Sequence, residues 1–227
     1  MQSICIPSIE CWIETIVPMV DRRTRKRLAT RRAISDAATR LIFDKGFDNV
    51  TIDEIAHAAD VGRMTVFNHF SRKEDLFLDR EQEIHDLAFD AVRTRSGGTS
   101  PIEALRLLAH RLIEQPDPPF PLFDGTERFV ETVLESEALK ARARQMRDDF
   151  VRALAVILAE VAGRPEQDAD AAFAAALLAA AWASAFLQAH ALLLRSHDVA
   201  AAKRLFLDLV DRGTIGTKAA LSGTVYC

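Results

Sequence analysis

Arg63, Met64, Thr65, Asn68 and His69 lie within a few residues of one another and have the side-chain types needed to read or grip a nucleic acid. A guanidinium can fork onto guanine or a phosphate, and a carboxamide can bond adenine through two hydrogen bonds. A threonine or methionine can meet a thymine methyl or a phosphate oxygen. Such chemistry requires these groups on the exposed side of a short element narrow enough to enter a groove.

The stretch around them, TIDEIAHAADVGRMTVFNHF at 51–70, reads as two short helices joined by a tight turn. Thr51 followed three residues later by Glu54 is a capping box, which marks a helix start. Ile52, Ile55, Ala56 and Ala59 recur at helical spacing and are expected to face inward, leaving Asp53, Glu54 and His57 outside. Asp60 tolerates a left-handed backbone better than most residues that carry a Cβ, and Gly62 is an acceptable N-cap, so a sharp bend is expected at 59–62. Val66, Phe67 and Phe70 form a second apolar stripe. A short second helix that offers polar groups at its start is the helix-turn-helix arrangement, whose second helix enters the DNA major groove.

Charge supports this placement. Residues 21–32 carry Arg22, Arg23, Arg25, Lys26, Arg27, Arg31 and Arg32 against one aspartate, expected to act as a basic arm that neutralises phosphates or enters a minor groove. The formal net charge is −4, yet residues 21–80 hold 13 Lys/Arg against 10 Asp/Glu, while residues 81–227 hold 16 against 21. Positive potential therefore collects at one end, the footprint of electrostatic DNA binding.

Residues 31–80 resemble the DNA-binding domain of the tetracycline-repressor (TetR) family. The resemblance is carried by RRAISDAATRLIFDKGFDNV, the helix-turn-helix, and TVFNHFSRKEDLF with its aromatic-x-His-Phe and Lys-Glu-Asp-Leu. It implies that Thr65, His69 and Lys73 contact phosphates and that Arg63, Met64 and Asn68 read bases, with Thr51 also among the DNA-facing residues. Three positions depart from the family pattern: Asp60 replaces a usual glycine, Gly62 a frequent serine cap, and Phe67 a common tyrosine whose hydroxyl is lost. The resemblance also implies a homodimer that acts on a double-stranded DNA operator, with repression as the usual output and release by a small molecule.

The remainder fixes the class. At 227 residues and 49% hydrophobic the chain can bury a sizeable core, and it is rich in alanine and leucine with little strand-like alternation. An all-α protein is expected: an N-terminal helix-turn-helix DNA-binding domain plus a C-terminal helical ligand-binding and dimerisation domain. Residues 1–20 hold no lysine or arginine and Met19 directly precedes the basic arm, so they are expected to be an extension, disordered or upstream of the natural start. Residues 21–80 form the DNA-binding domain, 81–212 the regulatory domain and 213–227 a flexible tail. Within these, a first helix at 31–45 closed by Gly46 and one continuous fourth helix at 72–95 are expected. Further helices are expected at 101–115, 126–135, 137–162, 168–195 and 199–212, the last ended by Gly213, with a proline-rich loop at 116–121.

Residues 171–194 carry no charge. Half of them are alanine, which drives membrane insertion weakly, so a helix buried against a second copy is expected rather than a membrane span. The effector is expected to be largely apolar, with Phe120, Phe123, Phe129, Phe150, Trp182, Phe186 and His190 as candidate contacts. Cys5, Cys11 and Cys227 lie in terminal segments without metal-ligand spacing, so no metal, cofactor or structural disulfide is expected, and a cytoplasmic location follows. Neither a nucleophile elbow nor a phosphate-cradling glycine loop is present, which argues against an enzyme. A helical interaction module without sequence-specific DNA binding is the other alternative.

Overall fold

The computed structural model describes residues 22–115, 122 and 126–227, with backbone alone at 80–82. Residues 1–20 with Cys5 and Cys11, the proline-rich loop at 116–121, and the candidate contacts Phe120 and Phe123 lie outside the described residues. The described residues form ten α-helices and no strand. They are α1 Arg22–Lys45, α2 Ile52–Ala58, α3 Arg63–His69, α4 Lys73–Phe77, α5 Asp79–Arg93, α6 Pro101–Glu114, α7 Glu127–Glu135, α8 Glu137–Val161, α9 Ala169–Ser196 and α10 Val199–Ala220.

The helix starts follow local chemistry. Thr51, Ser100, Ser136, Asp168 and Asp198 are N-caps whose side chains accept a backbone amide, and Thr51 with Glu54 makes both halves of the capping box. The bonds from Lys45 and Thr51 hold the Glu54 carboxyl down at about 2. Gly46 has φ +82° and Asp60 φ +51°, so both turn residues adopt the left-handed backbone their types allow.

Two cores result. The N-terminal one gathers Ile34, Ala38, Ile42, Phe47, Val50, Ile55, Val66, Phe70, Leu76 and Phe77, and is completed by Leu139 and Met146 from α8. The body core joins α5, α6, α8, α9 and α10 around Leu105, Leu112, Leu122, Leu154, Leu178 and Phe206. One stripe of α8, running through Leu139, Ala143, Met146, Phe150 and Leu154, leaves the first core and enters the second.

Three expectations are corrected here. The basic segment is no separate arm: from Arg22 it continues α1 as helix, with Arg22, Arg23, Arg25, Lys26, Arg27 and Arg32 exposed and Arg31 half-buried. The fourth helix is interrupted at Leu78, which caps α4, precedes α5 and is itself buried, so packing rather than sequence pattern breaks the run. Residues 213–227 are not frayed. α10 continues to Ala220, Leu221 and Tyr226 are buried, and the Tyr226 hydroxyl donates to Asp168 at 2.9 Å. Burial and that bond push the Tyr226 hydroxyl up to about 12, so it stays a donor.

Gly213 therefore sits inside a helix, and its role is to let helices touch. A Cβ there would lie 2.3 Å from the Ala181 Cβ of α9. Gly213→Ala is expected to force α9 and α10 apart and to cost about 1 to 3 kcal/mol, read as a lower midpoint in urea unfolding, with Ala181→Gly restoring part of it. An unchanged midpoint in the single variant would remove the close approach as a constraint.

Candidate nucleic-acid interface and ligand cavity

α3 is held by Val66 and Phe70 in the N-terminal core, so its opposite side is offered outward. Met64 is 70% exposed, and Arg63 and Asn68 are also exposed, while Thr65 and His69 are half-buried. Phe67 does not join the inward stripe as expected. It is 43% exposed and lies beneath the Arg63 guanidinium, 5.7 Å from ring centroid to carbon. Helical rotation places it a turn along from Arg63, so it supports that side chain rather than the core. Arg63 also donates to Asp53 of α2 at 3.0 and 3.2 Å, which holds the guanidinium near the start of α3.

The other end of α3 meets the basic helix. Arg23, Thr24, Arg27, Asn68 and His69 line one cleft of about 380 Å³. Burial, then Arg27 and Arg31, hold the His69 imidazole below its usual range, so it is neutral at pH 7. Arg22, Arg25 and Lys26 lie exposed on the same helix without joining this cleft. Behind the cleft Arg31 clamps three elements. Its guanidinium sits 4.1 Å from the Phe70 ring, donates to the His69 carbonyl at 2.5 Å, and pairs with Asp79 at the first residue of α5. Thr51 caps α2, its hydroxyl committed to Glu54.

Lys73 differs from a freely reaching phosphate contact. Its ammonium donates to the Phe47 carbonyl at 2.5 Å and lies 4.4 Å from the Phe47 ring, and burial lowers its proton affinity. An ammonium has three donors, so one bond to Phe47 leaves others for a phosphate.

The body holds a cavity of about 340 Å³ between α5, α7, α8 and α9, with Leu105 of α6 also in its wall. Of the candidate contacts, Phe150, Trp182 and Phe186 line it. Phe129 does not: it stacks on Phe77 at 4.9 Å, because its side of α7 faces the N-terminal core. His190 does not line it either, being buried behind Phe186 with ring centroids 4.4 Å apart. Sequence reasoning missed His85, which stacks on Phe150 at 4.4 Å and is kept neutral by burial, and also Arg144 and Arg147. The signal was there for the arginines: they fall at i and i+3 beside the apolar stripe of α8.

Residues 34–79 match the family described as bacterial regulatory proteins, tetR family. The N-terminal domain is that of the TetR family. Two curated relatives are the transcriptional regulator TcmR of Streptomyces glaucescens, 31% identical over 83 residues, and the transcriptional repressor LfrR of Mycolicibacterium smegmatis, 33% identical over 87 residues. The matches cover 37% and 38% of this chain, and the chain spans only 37% and 44% of the length of those relatives. The solved complex of SmeT from Stenotrophomonas maltophilia with triclosan shares the fold over 88% of this chain and 95% of that one, with a TM-score of 0.52 and 21% identity. Within the TetR domain the expected substitutions are accommodated: Asp60 takes the left-handed turn, and Gly62 caps α3 through backbone alone.

The two ends of α3 predict different losses. Arg63→Ala should weaken operator binding by about 1 to 3 kcal/mol and flatten sequence preference at one symmetric pair of positions. Replacing Arg23 and Arg27 by alanine should weaken binding to all DNA alike and reduce the salt slope by about 1 per lost contact. Fluorescence anisotropy across salt, with a randomised-operator selection, reads both. A uniform loss for Arg63→Ala would make it a phosphate anchor and move base reading to Met64, Thr65 or Asn68.

Proposed function

We propose that this chain is a one-component transcriptional repressor: a cytoplasmic homodimer that grips an operator through two helix-turn-helix domains and releases it when a small molecule enters the body cavity. One observation carries the coupling. Val133 and Ala143 line the cavity and also pack on the N-terminal core. A ligand that displaces α7 or α8 therefore moves the support of the recognition helix. A ligand shifts such an equilibrium only by its differential affinity for the two states, and shared wall residues supply that difference. Recognition helices in a dimer must reach major grooves about 34 to 36 Å apart, so a small tilt of each domain misaligns the pair. LfrR being a repressor and SmeT being solved with triclosan favour the same output and the same kind of effector.

Dimerisation is argued from α9. It is long and apolar enough to cross a membrane by length and composition, yet only 33% of its most apolar window is buried within one chain. Phe173, Ala176, Ala180, Ser184 and Leu187 are exposed along it at helical spacing, a face that a second copy can cover. Ala180→Glu puts a charge in that face and should cost several kcal/mol, roughly, by desolvation. Sedimentation is expected to give a folded monomer that no longer protects the operator, and a variant that stays dimeric would place the interface elsewhere.

Filling the cavity tests the coupling directly. Ala88 is a buried wall residue, and Ala88→Phe places a ring where a ligand would sit. It should imitate the liganded state, weakening operator binding about 10-fold or more for each ~1.4 kcal/mol of shifted balance. A folded, dimeric Ala88→Phe protein with unchanged operator affinity in gel-shift assays sinks the proposal that the cavity controls DNA release.

A further inference from the structure

Arg144 and Arg147 both line the cavity, and among the described residues of its wall there is no aspartate or glutamate. The rest of the described wall is aliphatic and aromatic apart from His85. The two arginines stand one turn apart on α8, where like charges destabilise a helix unless something lies between them. Among the described residues Arg147 pairs with its chain neighbour Asp148 alone, at 3.1 Å, and both side chains are more than half exposed. Among the described residues no hydrogen bond or ion pair to the Arg144 guanidinium is made. Glu137, two turns before Arg144, spends its carboxylate on Lys140 at 2.5 Å. The described wall is thus apolar with two cations on one side, Arg147 paired with the exposed Asp148 and Arg144 acting on Glu137 through space without a direct bond.

We infer that the effector is an amphipathic anion, whose hydrocarbon body fills the chamber against Phe150, Trp182 and Phe186 and whose carboxylate or comparable acidic head is held by Arg144 and Arg147. This rests on the cavity being the effector site. Guanidinium groups fork onto carboxylates and keep their charge at any physiological pH, so two of them on one helix face form an anion clamp. Their aliphatic stems continue the apolar wall, so the ligand need not cross a polar boundary to reach them. His85 lies deeper, stacked on Phe150 and neutral, and adds no charge to oppose or duplicate the clamp. The proposal separates ligands of one shape by head-group charge alone.

The test uses the full chain and three probes with the same decyl chain: decanoate, decanol and decyltrimethylammonium. Binding is followed by calorimetry and by Trp182 fluorescence, and release by anisotropy of labelled operator. Decanoate should bind most tightly, exceeding decanol by about 10- to 100-fold, as one or two charge-assisted hydrogen bonds supply. Arg144→Gln with Arg147→Gln should abolish that advantage and leave decanol binding intact, which also shows that the variant folds with its cavity formed. If decanol binds as well as decanoate and the double variant alters neither, the anion clamp is overturned while the apolar effector cavity stands. Preference for the cationic probe overturns it in the same way. If none of the three binds or perturbs Trp182, the effector-cavity reading falls and the head-group assignment with it.

Discussion

The continuity of α8 is the constraint on which the rest depends. Its apolar stripe supplies Leu139 and Met146 to the N-terminal core, Ala143 and Phe150 to the cavity wall, and Leu154, Ile157 and Leu158 to the body core. A helix is stiff along its axis because each residue's backbone is bonded to the next turn, so it cannot yield at one of these places without moving the others. The small N-terminal unit is therefore not an independent appendage. Arg142 of α8 pairs with Asp75 of α4 at 2.7 Å, with both side chains largely buried, and Arg128 of α7 donates to the Phe43 carbonyl. These polar ties set the register of an interface whose area is mostly apolar.

A second route joins the same two regions. α4 and α5 meet at Leu78, and Arg31 spans that joint from α1 to Asp79 while holding the last carbonyl of α3. The recognition helix is thus fastened at its end to the start of the helix that forms another cavity wall through Ile84, His85 and Ala88. Two packing routes thus join the helix-turn-helix unit to the walls of one cavity.

Electrostatics divide the labour. Exposed cations on α1 and at the start of α3 lie on one side of the N-terminal unit, where solvent keeps each individual electrostatic contribution small. On the far side of the body Glu103, Arg106, His110, Asp211 and Lys218 link α6 to α10 in one network, so charges there are spent internally. Arg144 and Arg147 fit neither group. They face a cavity whose described lining holds no acid.

What the sequence alone determined is local. The Thr51 to Glu54 capping box, the left-handed Asp60, the Gly62 cap and the Gly46 helix end each depend on a few neighbouring backbone groups, so residue type at fixed spacing suffices. The all-α class and the outward Arg63, Met64 and Asn68 follow from the same periodicity. Tertiary structure decided whatever depends on which elements meet. Gly213 reads as a helix stop but is the point where α10 touches Ala181, and Tyr226 reads as part of a loose tail but is pinned to Asp168, 58 positions away. Phe129 and Phe150 are alike in sequence, yet one stacks in the DNA-binding core and the other lines the cavity, because α7 and α8 present them to different neighbours. Hydrogen bonds within a turn are written in short-range pattern, whereas a contact between distant segments depends on the packing of every helix between them.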